Sequence, residues 1–261
     1  MTTMFQAISA IFSGGLIGFT LGLIGGGGSI LATPLLLYFV GVSSPHIAIG
    51  TGALAVSANA YANLLTHARK GNVWWRCAVV FALIGTLGAF IGSSIGKAMN
   101  GQILMFLFGF IMIIVGALML KPRKDFGGEA CAIDASACIR TGLTALAAGG
   151  ASGFFGIGGG FLIVPALIFA TKMPTINAVG SSLLSVGTFG LATAINYAFD
   201  GLIDWKIAGF MIAGGLFGGI IGARLSSKLG KDKDILNRIF AIMIFLVAGY
   251  VLYKSGTKIF S

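Results

Sequence analysis

The sequence predicts an all-α protein that crosses a membrane many times. It reads as two inverted repeats of about five hydrophobic segments each, with glycine-broken or re-entrant short helices. Three observations predict this: charge is excluded from long apolar runs, basic residues collect in alternate loops, and motifs recur at a spacing of 130–131 residues. Of the 261 residues, 57% are hydrophobic and 9% charged, with mean hydropathy +0.99; soluble domains carry roughly 25% charged residues. No Asp, Glu, Lys or Arg precedes Arg69, and all seven acids (Asp125, Glu129, Asp134, Asp200, Asp204, Asp232, Asp234) fall between apolar runs. A charge at mid-bilayer costs at least ~2.5–3.5 kcal/mol, so a membrane core enforces this segregation.

The apolar runs occupy 4–24, 29–41, 46–66, 73–96, 102–120, 139–157, 160–171, 175–199, 205–227 and 236–253. Most approach the ~20 residues that cross the hydrocarbon layer. The runs 29–41 and 160–171 are shorter, and each follows a glycine cluster. As a pair with its predecessor, 160–171 makes either two crossings or a re-entrant excursion. The N-terminal run lacks a basic leader region and a small-residue cleavage site, so it is expected to remain as a first membrane segment. Basic residues of the loops 67–76, 121–140 and 224–238 place those loops in the cytoplasm, whereas the loops near Val42, Lys97 and Asp200 fall outside.

The repeat is direct. GLIGGGGSILATP (22–34) aligns with GFFGIGGGFLIVP (153–165), and GTGALAV (50–56) with GSSLLSV (180–186). Gly71, Trp75 and Arg76 fall on Gly201, Trp205 and Lys206. The first half ends inside and the second outside, so the repeat is expected to be inverted. It divides the chain into a first membrane repeat (1–120), a cytoplasmic linker (121–138) and a second repeat (139–261).

Candidate binding residues follow from where the helices break. Gly25–Gly28 and Gly156–Gly160 interrupt apolar runs, with Pro34 and Pro165 a few residues on. Non-helical backbone survives at membrane depth only where it packs on protein or lines a cavity. A helix that restarts there aims free N–H groups at whatever occupies the break. Gly26, Gly27, Gly28, Ser29, Gly158, Gly159 and Gly160 are therefore candidate ligand contacts. A second set lies on the segments after each break. Thr51, Asn59, Asn63 and Thr66 share about a third of one helix's circumference, and Ser181, Ser182, Ser185, Thr188, Thr193 and Asn196 form the matching stripe. Of these, Thr51, Asn59, Asn63, Ser181, Ser182 and Ser185 are the substrate-binding candidates, because hydroxyls and amides can donate to an anion without burying a charge. Their bland alternative is hydrogen bonding between helices. The stripes Gly85/Gly88/Gly92/Gly96 and Gly215/Gly218/Gly222 read as surfaces for close helix packing.

His46, at a helix start, is the candidate for proton coupling; His67 reads as part of a basic loop. No acid lies within a span, which disfavours metal and cation sites. The glycine clusters lack the lysine and the strand–helix setting of a phosphate-binding loop. Cys77, Cys131 and Cys138 have no metal spacing. Cys131 and Cys138 could serve a sulfur relay, but no nucleophile–base pair accompanies them, so no enzyme activity is expected. The net charge of +10 is spread over short loops, which fits an anionic membrane surface and not nucleic acid. No metal and no cofactor is called for.

The doubled GGGGSILATP and GIGGGFLIVP, the AIGTG and AVGSS segments after them and the basic loop between halves resemble the sulfite exporter TauE/SafE family, also called the 4-toluene sulfonate uptake permease family. Gly52 departs from the pattern, where a serine fits better. The resemblance covers nearly the whole chain. It implies a secondary transporter in the cell membrane that exports a small sulfur-containing anion such as sulfite, sulfoacetate or another organosulfonate; uptake of a compound such as thiosulfate is the alternative direction. The partners it implies are the small anion and the lipid bilayer, and a homodimer is compatible with it.

Overall fold

The computed structural model describes residues 3–120, 135–156, 158–228 and 233–260. Every regular element among them is helical. In chain order these are α1 (Met4–Ile24), a 3-10 helix (Gly26–Leu31), α2 (Ala32–Pro34), a π-helix (Leu35–Val40), α3 (Pro45–Arg69), α4 (Trp75–Ala98), α5 (Gly101–Leu120), α6 (Ala135–Phe155), α7 (Gly160–Thr171), α8 (Thr175–Ala198), α9 (Trp205–Lys228) and α10 (Lys233–Phe260). Five of them, α1, α4, α5, α8 and α9, are long and apolar enough to cross a membrane over most of their length.

Local chemistry sets the boundaries. Thr3 opens α1 with a reciprocal cap, its hydroxyl accepting from the Gln6 amide while the Gln6 side chain accepts from the Thr3 amide. Asp204 opens α9, its carboxylate accepting from the amides of Lys206 and Ile207. Gly25, at φ +80°, ends α1, a conformation that side chains resist. The run 29–41 differs from a single short helix. Directly after Gly25 the chain tightens into 3-10 geometry that includes the other three glycines, and beyond Pro34, which donates no hydrogen bond, the ladder widens to a π-helix. Two boundaries also move: Cys138, expected in the linker, falls within α6, and His67, expected in a loop, lies in α3 and is buried. The bulk of the linker, with Cys131, is outside the described residues. Cys77 is disulfide-bonded, so the three cysteines are not all free thiols.

Helix pairing follows the small-residue stripes. α1 runs alongside α9 in the same direction, Gly14, Gly18 and Gly22 meeting Met211, Gly215 and Gly219 in turn. α4 runs alongside α6 in the same way, with Gly88 against Leu146 and Gly150 and Gly96 against Phe154. A methyl group at Gly14, Gly18, Gly22, Gly88 or Gly96 would collide with the partner's backbone. Such close approach is how membrane helices associate without a hydrophobic drive. α3 and α8 cross in opposite directions at the centre, where the Ser57 hydroxyl donates to the Gly187 carbonyl at 2.7 Å. α5 pairs with α10 at the edge. Outward faces of α4 and α9 present Leu83, Leu87, Ile91, Phe217 and Ile221 exposed, an apolar surface too extensive for water and suited to lipid.

Candidate functional site

α7 and the 3-10 helix pack on each other and both reach α8, so the two glycine breaks are brought together beside the central α3–α8 pair. Gly25 is pressed on Val179 of α8 and Gly156 on Ile49 of α3. Gly158, at φ +66°, lies where an added methyl group would stand 3.0 Å from Val56 and 3.3 Å from Val186. These valines are related by the 130-residue offset and flank the α3–α8 crossing. Gly156, Gly158 and Gly159 all have positive φ, so the second break depends on glycine at each. Gly159 caps α7 and backs onto Ser152, while Gly28 backs onto Thr20. Gly26 and Gly27 open the 3-10 helix, Ser29 within it is fully buried, and Gly160 is the first residue of α7.

The polar stripes do not act as one surface. The Thr51 hydroxyl accepts from the Asp204 amide at 2.9 Å and the Ser181 hydroxyl from the Trp74 amide at 3.0 Å, so each holds the start of a helix in the other half. Ser182 donates to the Val179 carbonyl and Asn63 to the Asn59 carbonyl, both within their own helices. Asn196 donates to Ser93 and Ser94 on α4 and accepts from Lys97, which also pairs with Asp200.

What remains is a set of buried polar atoms with no protein partner: the whole amide of Asn59 and the hydroxyls of Ser152, Ser185, Thr193 and Thr33. Buried polar groups are nearly always hydrogen-bonded, so each is a candidate contact for something that binds. Asn59 packs over Gly215, and Asn63 over Gly219 and Gly22, the last glycine of α1 before the first break. Ser152 was not legible as a site residue, because in the run ASG it reads as one more small packing residue. The available signal is that its repeat counterpart is the apolar Leu21. His46 lies at the N-terminal end of α3, with Nε2 3.1 Å from the Met99 carbonyl oxygen. Among the described residues no cluster of His, Cys, Asp or Glu could hold a metal.

Residues 10–251 match the family described as Sulfite exporter TauE/SafE. The chain belongs to this family. It is 60% identical over 258 residues to a "Probable membrane transporter protein" of Xylella fastidiosa (strain 9a5c), covering 98% of this chain and 99% of that protein. It is 27% identical to "Probable membrane transporter protein YunE" of Bacillus subtilis (strain 168), over 92% of this chain and 95% of that one. A "Probable membrane transporter protein MJ0441" of Methanocaldococcus jannaschii is 26% identical, over 87% and 91%. No solved structure matches. The family's members are multi-pass membrane transporters, not enzymes, and the chain is one of them. Its partners are accordingly a small substrate and the lipid bilayer.

Proposed function

We propose that the chain exports a small sulfur-containing anion, such as sulfite, sulfoacetate or another organosulfonate, by alternating access between two inverted halves, 1–120 and 139–261, joined by a cytoplasmic linker. The observation that carries this reading is the meeting of two glycine breaks beside helices rich in buried, unpartnered amide and hydroxyl groups. No carboxylate lies within α1, α3–α9 or the segment between α1 and α3. Neutral donors in a site free of acids suit an anion. Asn59 and Ser185 of the candidate set, and Ser152 outside it, have polar atoms with no protein partner, whereas the Thr51 and Ser181 oxygens each accept from a backbone amide at a helix start. The sulfur class comes from the family's description as sulfite exporters.

The inverted arrangement is supported by contacts that repeat under the offset. Thr51–Asp204 and Ser181–Trp74 exchange when 130 is added to one member and subtracted from the other. The close approaches Gly50–Leu202 and Gly180–Asn72 do the same. α1 with α9 and α6 with α4 are likewise counterparts. Two such halves can trade conformations, which exposes a shared site to either side in turn. The test is flux of sulfite, thiosulfate, sulfoacetate, taurine, sulfate and acetate in proteoliposomes, with counterflow. Saturable counterflow of a sulfur anion is expected. Preference for acetate, or flux without counterflow, would overturn the reading.

A further inference from the structure

We propose that His46 is a proton-binding site of this transporter, through which a proton and the anion cross together, so that export runs down the anion's own gradient and carries a proton out with it. The proposal rests on the anion reading above and adds its coupling ion. The Met99 carbonyl can only accept, so Nε2 of His46 donates to it at 3.1 Å, and in the neutral ring Nδ1 keeps its lone pair. That Nδ1 is closed off from solvent and has no partner in the protein. Tyr197, fully buried on α8, faces the same imidazole with ring centroids 6.2 Å apart, and its hydroxyl has no partner either. Two unpartnered buried polar atoms on neighbouring rings depart from the rule that such groups are satisfied. A proton on Nδ1, followed by an anion, satisfies both.

The surroundings decide that the anion must come with the proton. From α5 and the turn before it, Met99, Asn100 and Gly101 offer no titratable group. From α8, the only ones are the Tyr197 phenol and, just beyond the helix, Asp200, whose carboxylate is taken by Lys97 at the end of α4. At the start of α9 the Asp204 carboxylate is held by two backbone amides, and Lys206 beside it is cationic. No free carboxylate therefore faces His46 among the described residues. An imidazolium there needs a counter-charge from outside the protein, and the transported anion supplies it. By linkage, whatever the anion adds to proton affinity the proton adds to anion affinity.

Position along α3 fits the role. Ile47, the next residue, lines a cleft of about 560 Å³ at the end of the molecule bounded by Gln6, Ser43 and Lys206. Ile49, one turn deeper, is the residue against which the second break presses. His46 thus belongs to the turn of α3 that carries both the cleft residue and the residue against the break. Its repeat counterpart is Ile176, so only one end of the molecule carries a titratable group here. The step is simple in balance: the Nδ1 lone pair takes a proton from the medium on one side, and that proton leaves with the anion on the other.

The test uses the full chain in proteoliposomes with sulfoacetate, whose sulfonate stays ionised near neutrality, and the membrane potential clamped at zero. One proton per anion gives about tenfold accumulation per pH unit of gradient. His46→Gln keeps an N–H for the Met99 carbonyl but cannot be protonated. It should lose gradient-driven accumulation, and its half-saturation for sulfoacetate in equal-pH exchange should no longer vary with pH as the wild type's does, a signature that a merely structural role would not produce. Accumulation by His46→Gln equal to the wild type, or a wild type indifferent to the gradient, overturns the proposal. Absent exchange of every anion in the panel by the wild type would instead overturn the anion reading. The proton site is then judged separately by nitrogen NMR of the two histidines, with His46→Gln giving the assignment. A His46 ring that takes up its second proton only when sulfoacetate is added supports the proposal, and one whose protonation does not respond to the anion overturns it.

Discussion

Asn59→Leu separates a binding amide from a packing side chain, because the two roles predict opposite signs. Asn59 is fully buried, and neither its Nδ2 nor its Oδ1 has a partner in the protein. A buried polar group left without a partner costs about 1–3 kcal/mol. Leucine has nearly the same branched shape over Gly215 and no polar atoms, so the substrate-free protein should gain about 1–2 kcal/mol of stability. Should the amide donate to the anion, the substitution removes a hydrogen bond to a charged group, about 1.5–3 kcal/mol. That amounts to roughly tenfold to 150-fold in affinity. The expected outcome is a protein that melts higher in detergent and binds its substrate more weakly. The measurements are thermal unfolding without substrate and half-saturation in counterflow. Unchanged half-saturation alongside raised stability would remove Asn59 from the site. Lowered stability would mean that its polar atoms are satisfied, and the reasoning fails at its first step.

Gly88→Ala should lower the yield of folded protein, because a methyl there meets the Leu146 carbonyl of α6; overpacking of this kind costs about 1–3 kcal/mol. Gly209→Ala, on α9 with open space around it, should fold at least as well as the parent, and equal behaviour of the pair in detergent monodispersity would contradict the packing account. Thr51→Val and Ser181→Ala should each destabilise by about 1 kcal/mol, as the loss of a helix cap does, with little change in affinity; a large affinity loss at normal stability would return them to the site. Gly27→Val and Gly159→Val should abolish flux while leaving membrane-inserted protein, and near-normal flux per folded molecule would show that the breaks do not form the site. Single cysteines replacing Gly71 and Gly201, which are exposed with free space around them, should label from opposite sides of intact cells. Labelling of both from outside would break the inverted topology.

The membrane-spanning scaffold was legible because its signals are local. Each apolar run became a helix or, at 29–41, a chain of three short helical turns. The glycine stripes found partners, α1 with α9 and α4 with α6, of the kind that small residues at helical spacing imply. The polar candidates were less legible, because a hydroxyl's role depends on what the fold sets opposite it. Thr51 is occupied by an amide 153 residues away and Ser181 by one 107 residues away, and no periodicity announces either. Ser57, which bonds the two central helices, lies off the predicted stripe. Tyr197 reads as one aromatic residue near a helix end until the neighbouring imidazole is in view.

The residues left over share a property that the sequence does carry. Asn59 stands where the repeat has Phe189, Ser152 where it has Leu21, and His46 where it has Ile176. Each has buried polar atoms that the protein leaves unpartnered. Contacts that hold the fold recur in both halves, as the paired Thr51 and Ser181 bonds do, because two similar halves must pack by the same geometry. A ligand has no such symmetry, and the groups that recognise it need appear only once. Departures from the repeat at buried polar positions are therefore a better guide to the chemistry of this chain than the motifs that repeat. On the proposed reading, they put recognition of the anion on α3 and α6 and its coupling to the proton at the N-terminal end of α3.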